Sequence, residues 1–466
     1  MELNPQVFRE YDIRGTVDVD LSEDFAYLLG RAYASLYIES LGQSPSSAPQ
    51  IGVGHDVRHS SPGYARAIAK GLCDEGVHVH FSGPGPTPQL YFTIFHYELG
   101  GGIQITGSHN PPDMNGFKIC LGKKTISGEG IQDLKARMES LKDTAPAAEE
   151  KGVLTEVEVR ETYISTLVEK SREHMGDRKL KIVVDGGNGA GGFVGPELLR
   201  RLGVDVVELY CEPDGDFPNH HPDPTVPEYL VDLIAKVKEE KADFGVGWDG
   251  DADRIGCVDE DGNIIFGDML LLLYGRSILK EAPGATIIGD VKCSTRLFDD
   301  LTEKGAKAIM WKTGHSLIKN KLAELDGQLG GEMSGHIFFR DRFYGFDDAL
   351  YATARLAELV SNSDGPISAL LQDVPEMFAT PEIRLDCPEE IKFKIPEKAK
   401  GAFSEFDVET IDGVRIRFEE GWGLIRASNT QPVLVTRFEA TSQEKLNEYK
   451  ALVEERISSI KQELGA

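Results

Sequence analysis

The hydrophobic positions in the first third of the chain follow a β-α-β-α rhythm. Short apolar runs predict strands, and apolar positions that repeat every three to four residues predict helices. The predicted strands are residues 51–54, 77–81 and 100–105, and the predicted helices are residues 22–41, 61–75 and a segment beginning at Thr87. This alternation is typical of a mainly parallel sheet covered by helices.

The rhythm restarts twice further along the chain and then changes. The second unit is predicted to contain helices 161–175 and 196–202 and strands 180–184 and 243–248. The third is predicted to contain strands 263–266, 286–291, 307–311 and 336–339, helices 268–280 and 317–325, and a helix opened by Asp347 and Asp348. Beyond Pro375 the pattern predicts short strands at 382–385, 414–418, 423–427 and 433–438, and an amphipathic last helix.

These changes of pattern predict the domain boundaries. Residues 143–152 lose apolar periodicity and predict a linker, and Pro375 marks another boundary. A chain of 466 residues is too long for one ordinary core. We expect domains at residues 1–152, 153–260, 261–375 and 376–466.

The charge balance limits the classes of partner. The chain has 50 basic and 77 acidic residues, a formal charge of −27, and lacks a basic tract. Nucleic acid and anionic membranes would repel a chain of this net charge, so neither is expected to be its main partner. An anionic ligand would have to be held by local groups of Arg, Lys and backbone N–H.

Sequence features also predict a cytoplasmic location. Residues 1–5 lack the basic region and apolar run of a signal peptide. The longest apolar stretch, residues 269–274, is too short to cross a bilayer. The six cysteines contain no CxxC pair, which favours reduced thiols.

A serine follows the strand predicted at 100–105. The stretch 106–111 reads Thr-Gly-Ser-His-Asn-Pro, and the turn-forming residues that follow include Asp113, Asn115 and Gly116. Ser108 is therefore expected on a stiff loop at a strand's carboxyl end, where α/β proteins build sites. With His109 beside it and Lys118 nearby, this hydroxyl is a candidate acceptor and donor of a phosphoryl group. The alternative is a turn serine that satisfies only its own loop.

Three alternating aspartates follow the strand predicted at 243–248. Asp249, Asp251 and Asp253 would repel one another unless a cation neutralises them, and carboxylates suit Mg²⁺ or Ca²⁺. An EF-hand calcium loop needs glycine where Arg254 stands, so we discount it. Three carboxylates leave room for a phosphoryl oxygen to complete the shell, so we favour Mg²⁺. The alternative is a solvated acidic turn. A glycine run at 185–189 lacks the ending of a P-loop and predicts only a tight turn.

Further polar groups stand near predicted strand ends. Lys292 and the stretch 313–316 follow strands, while Glu332 and Ser334 alternate so that a carboxylate and a hydroxyl could bind sugar hydroxyls. The stretch 426–432, with Arg437 on the next strand, has the cation, hydroxyls and turn N–H groups of a phosphate cradle. Each has a purely structural alternative, namely a solubilising side chain or a polar turn.

With these motifs in place, the sequence resembles the α-D-phosphohexomutases, and within them the bacterial phosphomannomutase/phosphoglucomutase group. The resemblance rests on four motifs in the family's order: residues 106–111, 249–254, 331–336 and 426–430. It extends over essentially the whole chain. It implies an α/β protein of three similar mixed α/β domains and a smaller α+β fourth domain around a central cleft.

The resemblance also implies a role for each motif residue. Ser108 would carry the phosphoryl group and, with Asp249, Asp251 and Asp253, bind Mg²⁺ through its phosphate. His109 and Lys118 would be candidates for proton transfer, and Arg254 would assist phosphoryl transfer beside the metal. Glu332 and Ser334 would hold the sugar's 3- and 4-hydroxyls. The non-reacting phosphate would be clamped by Arg426, Ser428, Asn429 and Thr430, and further cleft positions with less defined roles are Tyr11, Arg14, Lys292, Gly314, His315 and His336.

The activity implied is interconversion of hexose 1-phosphate and hexose 6-phosphate, of mannose or glucose, through a 1,6-bisphosphate intermediate. Glucose 1,6-bisphosphate would serve as activator, and sugar phosphates would be the only partners of a monomer or weak homodimer. Met333 matches the mannose/glucose group, whereas phosphoglucosamine mutases, the alternative, commonly carry Gln there. A metal-dependent sugar phosphatase would use the same serine and metal, and a non-catalytic sugar-phosphate sensor would need only the clamp and the hydroxyl-binding residues.

Overall fold

Four sheets follow one another along the chain in the computed structural model, which describes residues 2–42, 50–428 and 432–465. The strands of the first sheet are β1 (Ile13–Thr16), β2 (Gln50–His55), β3 (His78–Pro84), β4 (Gly101–Ile105), β5 (Met114–Leu121), β6 (Lys124–Thr125) and β7 (Leu154–Glu156). Its helices are α1 (Glu23–Ser40), α2 (Ser61–Asp74), α3 (Thr87–His96) and α4 (Glu129–Leu141). The strand order is β1-β5-β4-β2-β3-β7, with β6 beside β5.

The first sheet is mixed, and its parallel half carries the Ser108 loop. Strands β4, β2, β3 and β7 run parallel, whereas β5 pairs antiparallel with both β4 and β1. Helix α1 begins after Ser22, whose hydroxyl accepts a hydrogen bond from the N–H of Phe25 at 3.1 Å. That cap was predicted from the sequence.

The turn predicted at Asn115 and Gly116 is wrong, because both residues lie within β5. A Cβ added to Gly116 would lie 2.5 Å from the carbonyl oxygen of Ile13, so glycine permits the close pairing of β5 with β1. The Asn115 side chain donates to the hydroxyls of Ser60 and Ser61 and is thereby satisfied inside the sheet. Strand β5 places Lys118 opposite Gln104 of β4.

The second sheet contains β8 (Lys181–Asp185), β9 (Asp205–Leu209), β10 (Phe244–Trp248), β11 (Ile255–Asp259) and β12 (Ile264–Ile265), in the order β12-β11-β10-β8-β9. Its helices are α5 (Arg160–Arg172), α6 (Gly195–Arg201) and α7 (Val231–Glu240). Strands β9, β8 and β10 are parallel, and β11 and β12 are antiparallel additions. The aspartate motif is the turn between β10 and β11.

The assignment of the strand predicted at 263–266 to the third unit is wrong. Ile264 and Ile265 pair with β11 in the second sheet. A tight turn causes this, since the N–H of Asn263 donates to Asp259 Oδ1 at 2.7 Å and the N–H of Asp259 donates to the carbonyl of Asn263. The chain therefore returns along β11 before it enters the third domain.

The third sheet contains β13 (Thr286–Asp290), β14 (Lys307–Trp311), β15 (Leu329–Gly331) and β16 (Ile337–Phe339), in the order β14-β13-β15-β16. Its helices are α8 (Gly267–Glu281), α9 (Thr295–Glu303), α10 (His315–Glu324) and α11 (Ala349–Ser361). The first three strands are parallel and β16 is antiparallel. Asp348 caps α11, as predicted, by accepting from the N–H groups of Leu350 and Tyr351.

The fourth sheet is antiparallel throughout. It contains β17 (Phe378–Ala379), β18 (Ile383–Asp386), β19 (Asp407–Glu409), β20 (Val414–Phe418), β21 (Gly421–Ala427) and β22 (Val433–Ala440), in the order β17-β22-β21-β20-β19 with β18 also beside β22. Its helices are α12 (Glu389–Lys392), α13 (Lys394–Ala402) and α14 (Gln443–Glu463). The hydrophobic pattern does not predict β17, β19, α12 or α13.

The buried apolar clusters do not correspond one to one with the four sheets. One apolar cluster extends from Leu90 in α3 through the second unit to Ile367, so the first three units share buried contacts. The fourth unit has its own cluster, and Val291, Trp422 and Leu424 form a small one that attaches it to the third. Within the described ranges, the helices lack the combination of length and apolar character that a membrane span requires.

Candidate active site

Ser108 lies just beyond the carboxyl end of β4, in the predicted loop. It is buried, and its φ of 49° is in the left-handed region, which costs a non-glycine residue about 1 kcal/mol. The side chain of Thr106 accepts a hydrogen bond from the Ser108 N–H at 2.8 Å. This conformation directs the Ser108 hydroxyl to Asp249, where it donates to Oδ2 at 2.8 Å.

Asp249, Asp251 and Asp253 are fully buried, and one carboxylate oxygen of each lies within 4.8 Å of the others. Among the described residues, Asp251 Oδ1 and Asp253 Oδ1 have no hydrogen-bond partner. Buried carboxylate oxygens without donors favour a bound cation. The donor set therefore fits a divalent metal ion with a preference for oxygen ligands.

Lys118 of β5 extends into this cluster, where its ammonium donates to Asp251 Oδ2 at 2.6 Å and also to Asp253 Oδ2. Burial opposes the charged form of Lys118, but Asp251 and Asp253 raise its pKa well above the ordinary value. Burial and the two neighbouring carboxylates raise the pKa of Asp249 well above its usual range. The raised pKa of Asp249 shows that one lysine does not neutralise three buried carboxyl groups.

Contacts with Thr87 of the first domain and with a glycine run of the second domain hold the aspartate turn in place. Thr87, at the start of α3, donates its hydroxyl to Asp251 Oδ2 at 2.5 Å and its N–H to the Asp251 carbonyl at 2.9 Å. The glycine run at 185–189 packs against the turn from the other side, since a Cβ on Gly189 would lie 2.7 Å from the carbonyl oxygen of Gly250. The run thus forms the predicted tight turn and also allows this close approach.

His109 and Arg254 complete the surroundings of Ser108. His109 Nδ1 lies 3.1 Å from the Ser108 hydroxyl. Burial, together with the charge of Arg254, lowers the pKa of His109 well below its ordinary value. The guanidinium of Arg254 lies 4.0 Å from Asp249 Oδ2 and donates to His336 Nε2 at 3.0 Å. An imidazole therefore lies beside the hydroxyl, and a cation lies beside the carboxylate that accepts from this hydroxyl.

His315 and His336 stack with ring centroids 5.6 Å apart and share one carboxylate, Asp347. His336 Nδ1 lies 3.2 Å from Asp347 Oδ2, and His315 Nδ1 lies 3.7 Å from it. Lys319 donates to Asp347 Oδ1 at 2.8 Å. The sequence predicted Asp347 only as the start of a helix, because nothing nearby in the chain indicates its histidine partners.

Glu332 lies beside the turn that precedes α10. Its Oε1 accepts a hydrogen bond from the N–H of Gly314 at 2.5 Å. Its Oε2 accepts one from the Ser334 hydroxyl at 3.3 Å. Gly314 has a φ of 136°, and a Cβ there would lie 2.8 Å from the Tyr11 ring. Glycine is therefore required for this turn to approach the first domain.

Two further carboxylates, Asp412 of the fourth domain and Asp290 of the third, bind Thr313. Asp412 accepts from Arg426 Nε at 2.6 Å and from the Thr313 N–H at 3.1 Å. Asp290, the last residue of β13, accepts from the Met333 N–H at 3.2 Å and the Thr313 hydroxyl at 2.9 Å. Neither Asp412 nor Asp290 is predicted as a site residue from the sequence, because both act through residues distant in the chain.

The remaining predicted residues lie along the same cleft. The Tyr11 hydroxyl lies 3.4 Å from Arg426 Nη2, and Arg14 donates to the side chain of Asn110 at 2.6 Å. Lys292 lies 3.1 Å from Glu382 Oε2, and Ser428 is buried at the end of β21. Asn429 and Thr430 lie outside the described residues.

The chain matches four domain families along its length. They are described as phosphoglucomutase/phosphomannomutase alpha/beta/alpha domain I at residues 5–145, domain II at 161–262, domain III at 266–378, and the C-terminal domain at 382–456.

The chain is similar to other proteins over nearly its whole length. A phosphomannomutase/phosphoglucomutase of Pseudomonas putida is 45% identical over 99% of this chain and 97% of its own length. A phosphoglucomutase of Neisseria gonorrhoeae is 44% identical over 96% of both chains. The crystal structure of a phosphoglucomutase/phosphomannomutase family protein from Burkholderia thailandensis aligns with a TM-score of 0.90 at 40% identity, covering 99% of this chain and 98% of that one.

Asp251→Asn should lower the affinity for a divalent cation by at least about tenfold, because it removes a buried anionic ligand. Isothermal titration with Mg²⁺ or Mn²⁺ measures the affinity. Asp261→Asn is the matched control, since Asp261 is an exposed turn residue beyond β11. Equal affinities in Asp251→Asn and the wild type would contradict a metal site at this cluster.

Proposed function

Because the chain belongs to the phosphoglucomutase/phosphomannomutase family, we propose that it interconverts hexose 1-phosphates and hexose 6-phosphates of glucose or mannose. The observation that supports this most is the buried Ser108 hydroxyl beside the carboxylate cluster and two cations. In this reaction phospho-Ser108 gives its phosphoryl group to the free hydroxyl of a sugar monophosphate. The resulting 1,6-bisphosphate turns over in the cleft and returns its other phosphate to Ser108.

We assign the cation site to Mg²⁺, which would be held by Asp249, Asp251 and Asp253 together with the phosphate on Ser108. When bound, this ion would supply positive charge next to the transferring group. Phosphoryl transfer depends mainly on positioning and on neutralising charge that spreads over the equatorial oxygens. The protein's own cations for that purpose are Lys118 and Arg254, with Arg14 at the rim of the Ser108 loop.

Two groups are candidates for proton transfer, His109 and Lys118. The lowered pKa of His109 keeps its imidazole neutral, so that it can accept a proton at 3.1 Å from the Ser108 hydroxyl. Lys118 keeps its proton beside Asp251 and Asp253 and is suited to donate a hydrogen bond rather than to accept a proton. His109 is therefore the better base for the serine side of the reaction.

Recognition of the sugar is assigned to the third and fourth domains. Glu332 and Ser334 would bind two sugar hydroxyls, with Gly314, His315 and His336 lining the same wall. Arg426, Ser428, Asn429 and Thr430 would clamp the phosphate that is not reacting, with Tyr11 and Lys292 nearby. Since the intermediate turns over, this clamp must accept either end of it, and glucose 1,6-bisphosphate should therefore act as an activator.

We also propose domain boundaries slightly later than the sequence predicts. Strand β7 pairs with β3, which assigns Leu154–Glu156 to the first domain. Strand β12 pairs with β11, which assigns Ile264–Ile265 to the second. We propose a cytoplasmic monomer or weak homodimer, and its six free cysteines are compatible with a reducing compartment.

The proposal is tested by product analysis with glucose 1-phosphate, mannose 1-phosphate and glucosamine 1-phosphate, each with catalytic glucose 1,6-bisphosphate. We expect the 6-phosphate of glucose or mannose to form in wild-type protein and no product in Ser108→Ala. Ser127→Ala, in the segment that follows β6, is a control that should retain activity. Release of inorganic phosphate as the main product would identify a phosphatase, and faster turnover of the glucosamine ester would identify a phosphoglucosamine mutase.

Arg426→Ala should lower kcat/KM by about 10- to 100-fold, since a charge-assisted hydrogen bond contributes about 1.5–3 kcal/mol. Both half-reactions, transfer from phospho-Ser108 to the 1-phosphate and to the 6-phosphate, should slow, because the clamp serves both orientations of the intermediate. Arg417→Ala is the control, since Arg417 is an exposed arginine in the same sheet. A loss confined to one half-reaction, measured by single-turnover transfer from phospho-Ser108 to each monophosphate, would refute the shared clamp.

A further inference from the structure

Arg58 lies buried behind the Ser108 loop and binds the backbone of that loop at four points. Its Nη2 donates to the carbonyls of Ser108 at 2.9 Å and Asn110 at 2.5 Å. Its Nη1 donates to the carbonyls of Pro111 at 2.6 Å and Met114 at 2.9 Å. One guanidinium thus satisfies carbonyl groups along the whole loop.

The position of this guanidinium is itself tightly determined. Asp56 Oδ2 lies 3.3 Å from Arg58 Nε and accepts the N–H of Gly107 at 3.2 Å, so one carboxylate binds both the arginine and the loop. A Cβ on Gly107 would lie 2.5 Å from the guanidinium carbon, so only glycine leaves room for it. The Phe217 ring of the second domain covers the guanidinium at 5.0 Å.

These contacts act on the conformation that the proposed reaction requires. Ser108 has a φ of 49°, and in this conformation of the loop its hydroxyl reaches Asp249. The residues after Ser108 include two consecutive prolines, which lack the N–H donors that could satisfy neighbouring carbonyls. Arg58 provides those donors from behind the loop, and it does so without contacting the reacting hydroxyl.

We propose that Arg58 is a positioning residue, which holds the Ser108 loop so that the hydroxyl faces Asp249 and an incoming phosphoryl group. This inference rests on the proposed function. A lysine cannot replace the arginine, because a single ammonium lacks the planar fork that binds two pairs of carbonyls. The effect should fall on transfer to and from Ser108 rather than on binding of the sugar phosphate, which the third and fourth domains provide.

The test compares wild-type protein with Arg58→Lys, measuring kcat, KM and the rate at which glucose 1,6-bisphosphate phosphorylates Ser108, followed by mass spectrometry. We expect kcat and the phosphorylation rate of Arg58→Lys to fall together by about 10- to 100-fold, with KM changed by less than about threefold. Arg58→Ala should regain part of its kcat in millimolar guanidinium. The control is Arg178→Ala, because Arg178 also binds a backbone carbonyl, that of Gly365 at 2.6 Å, and pairs with Asp243.

Thermal unfolding is measured for every variant, and rates are compared well below each midpoint. Asp56→Asn provides a second variant, which keeps the side-chain volume but removes the charge that orients the guanidinium, and it should reduce the phosphorylation rate in the same direction. If folded Arg58→Lys and Asp56→Asn gain phosphate as fast as the wild type, the inference is overturned. Wild-type protein that never gains phosphate at Ser108 overturns the proposed function itself.

Discussion

The arrangement of the cleft depends on one electrostatic constraint, the burial of three carboxylates in a single turn. Asp249, Asp251 and Asp253 have no solvent exposure, and like charges at that depth are stable only when cations balance them. Lys118 approaches from the first domain and Arg254 from the turn itself. The remaining negative charge favours a divalent ion, which would supply positive charge next to Ser108.

Contacts at this cluster, and others between charged and polar groups around it, join the domains. The charges in the cleft come from different parts of the chain, and several of their contacts cross a domain boundary. Thr87 of the first domain binds Asp251 of the second, and Asp412 of the fourth binds Arg426 and the backbone of Thr313 in the third. Tyr11 links the first domain to the third and fourth, because its hydroxyl donates to the carbonyl of Thr313 and lies near Arg426. The fourth domain therefore contacts the first domain at Tyr11 and the third at Thr313.

The sequence predicts those parts of the site that are contiguous in the chain. The Ser108 loop and the aspartate turn were recognisable because an apolar strand leads directly into each. Arg58, Asp347 and Asp412 were not, because their partners are far away in sequence and their own neighbours carry no signal. The two errors in the fold have a common origin: β5 and β12 are antiparallel strands formed from residues with turn-forming or short apolar character. Local pattern cannot distinguish such a strand from a turn or from the first strand of the next domain.

Turnover is proposed to pass through a phosphoryl group carried on Ser108. A single-turnover, rapid-quench experiment tests this by labelling the protein at Ser108 with ³²P from glucose 1,6-bisphosphate and mixing it with unlabelled glucose 1-phosphate. The label should leave the protein at least as fast as kcat and should be found in the bisphosphate and then in the 6-phosphate. Formation of the 6-phosphate while the label stays on Ser108 would show that the serine is not the carrier.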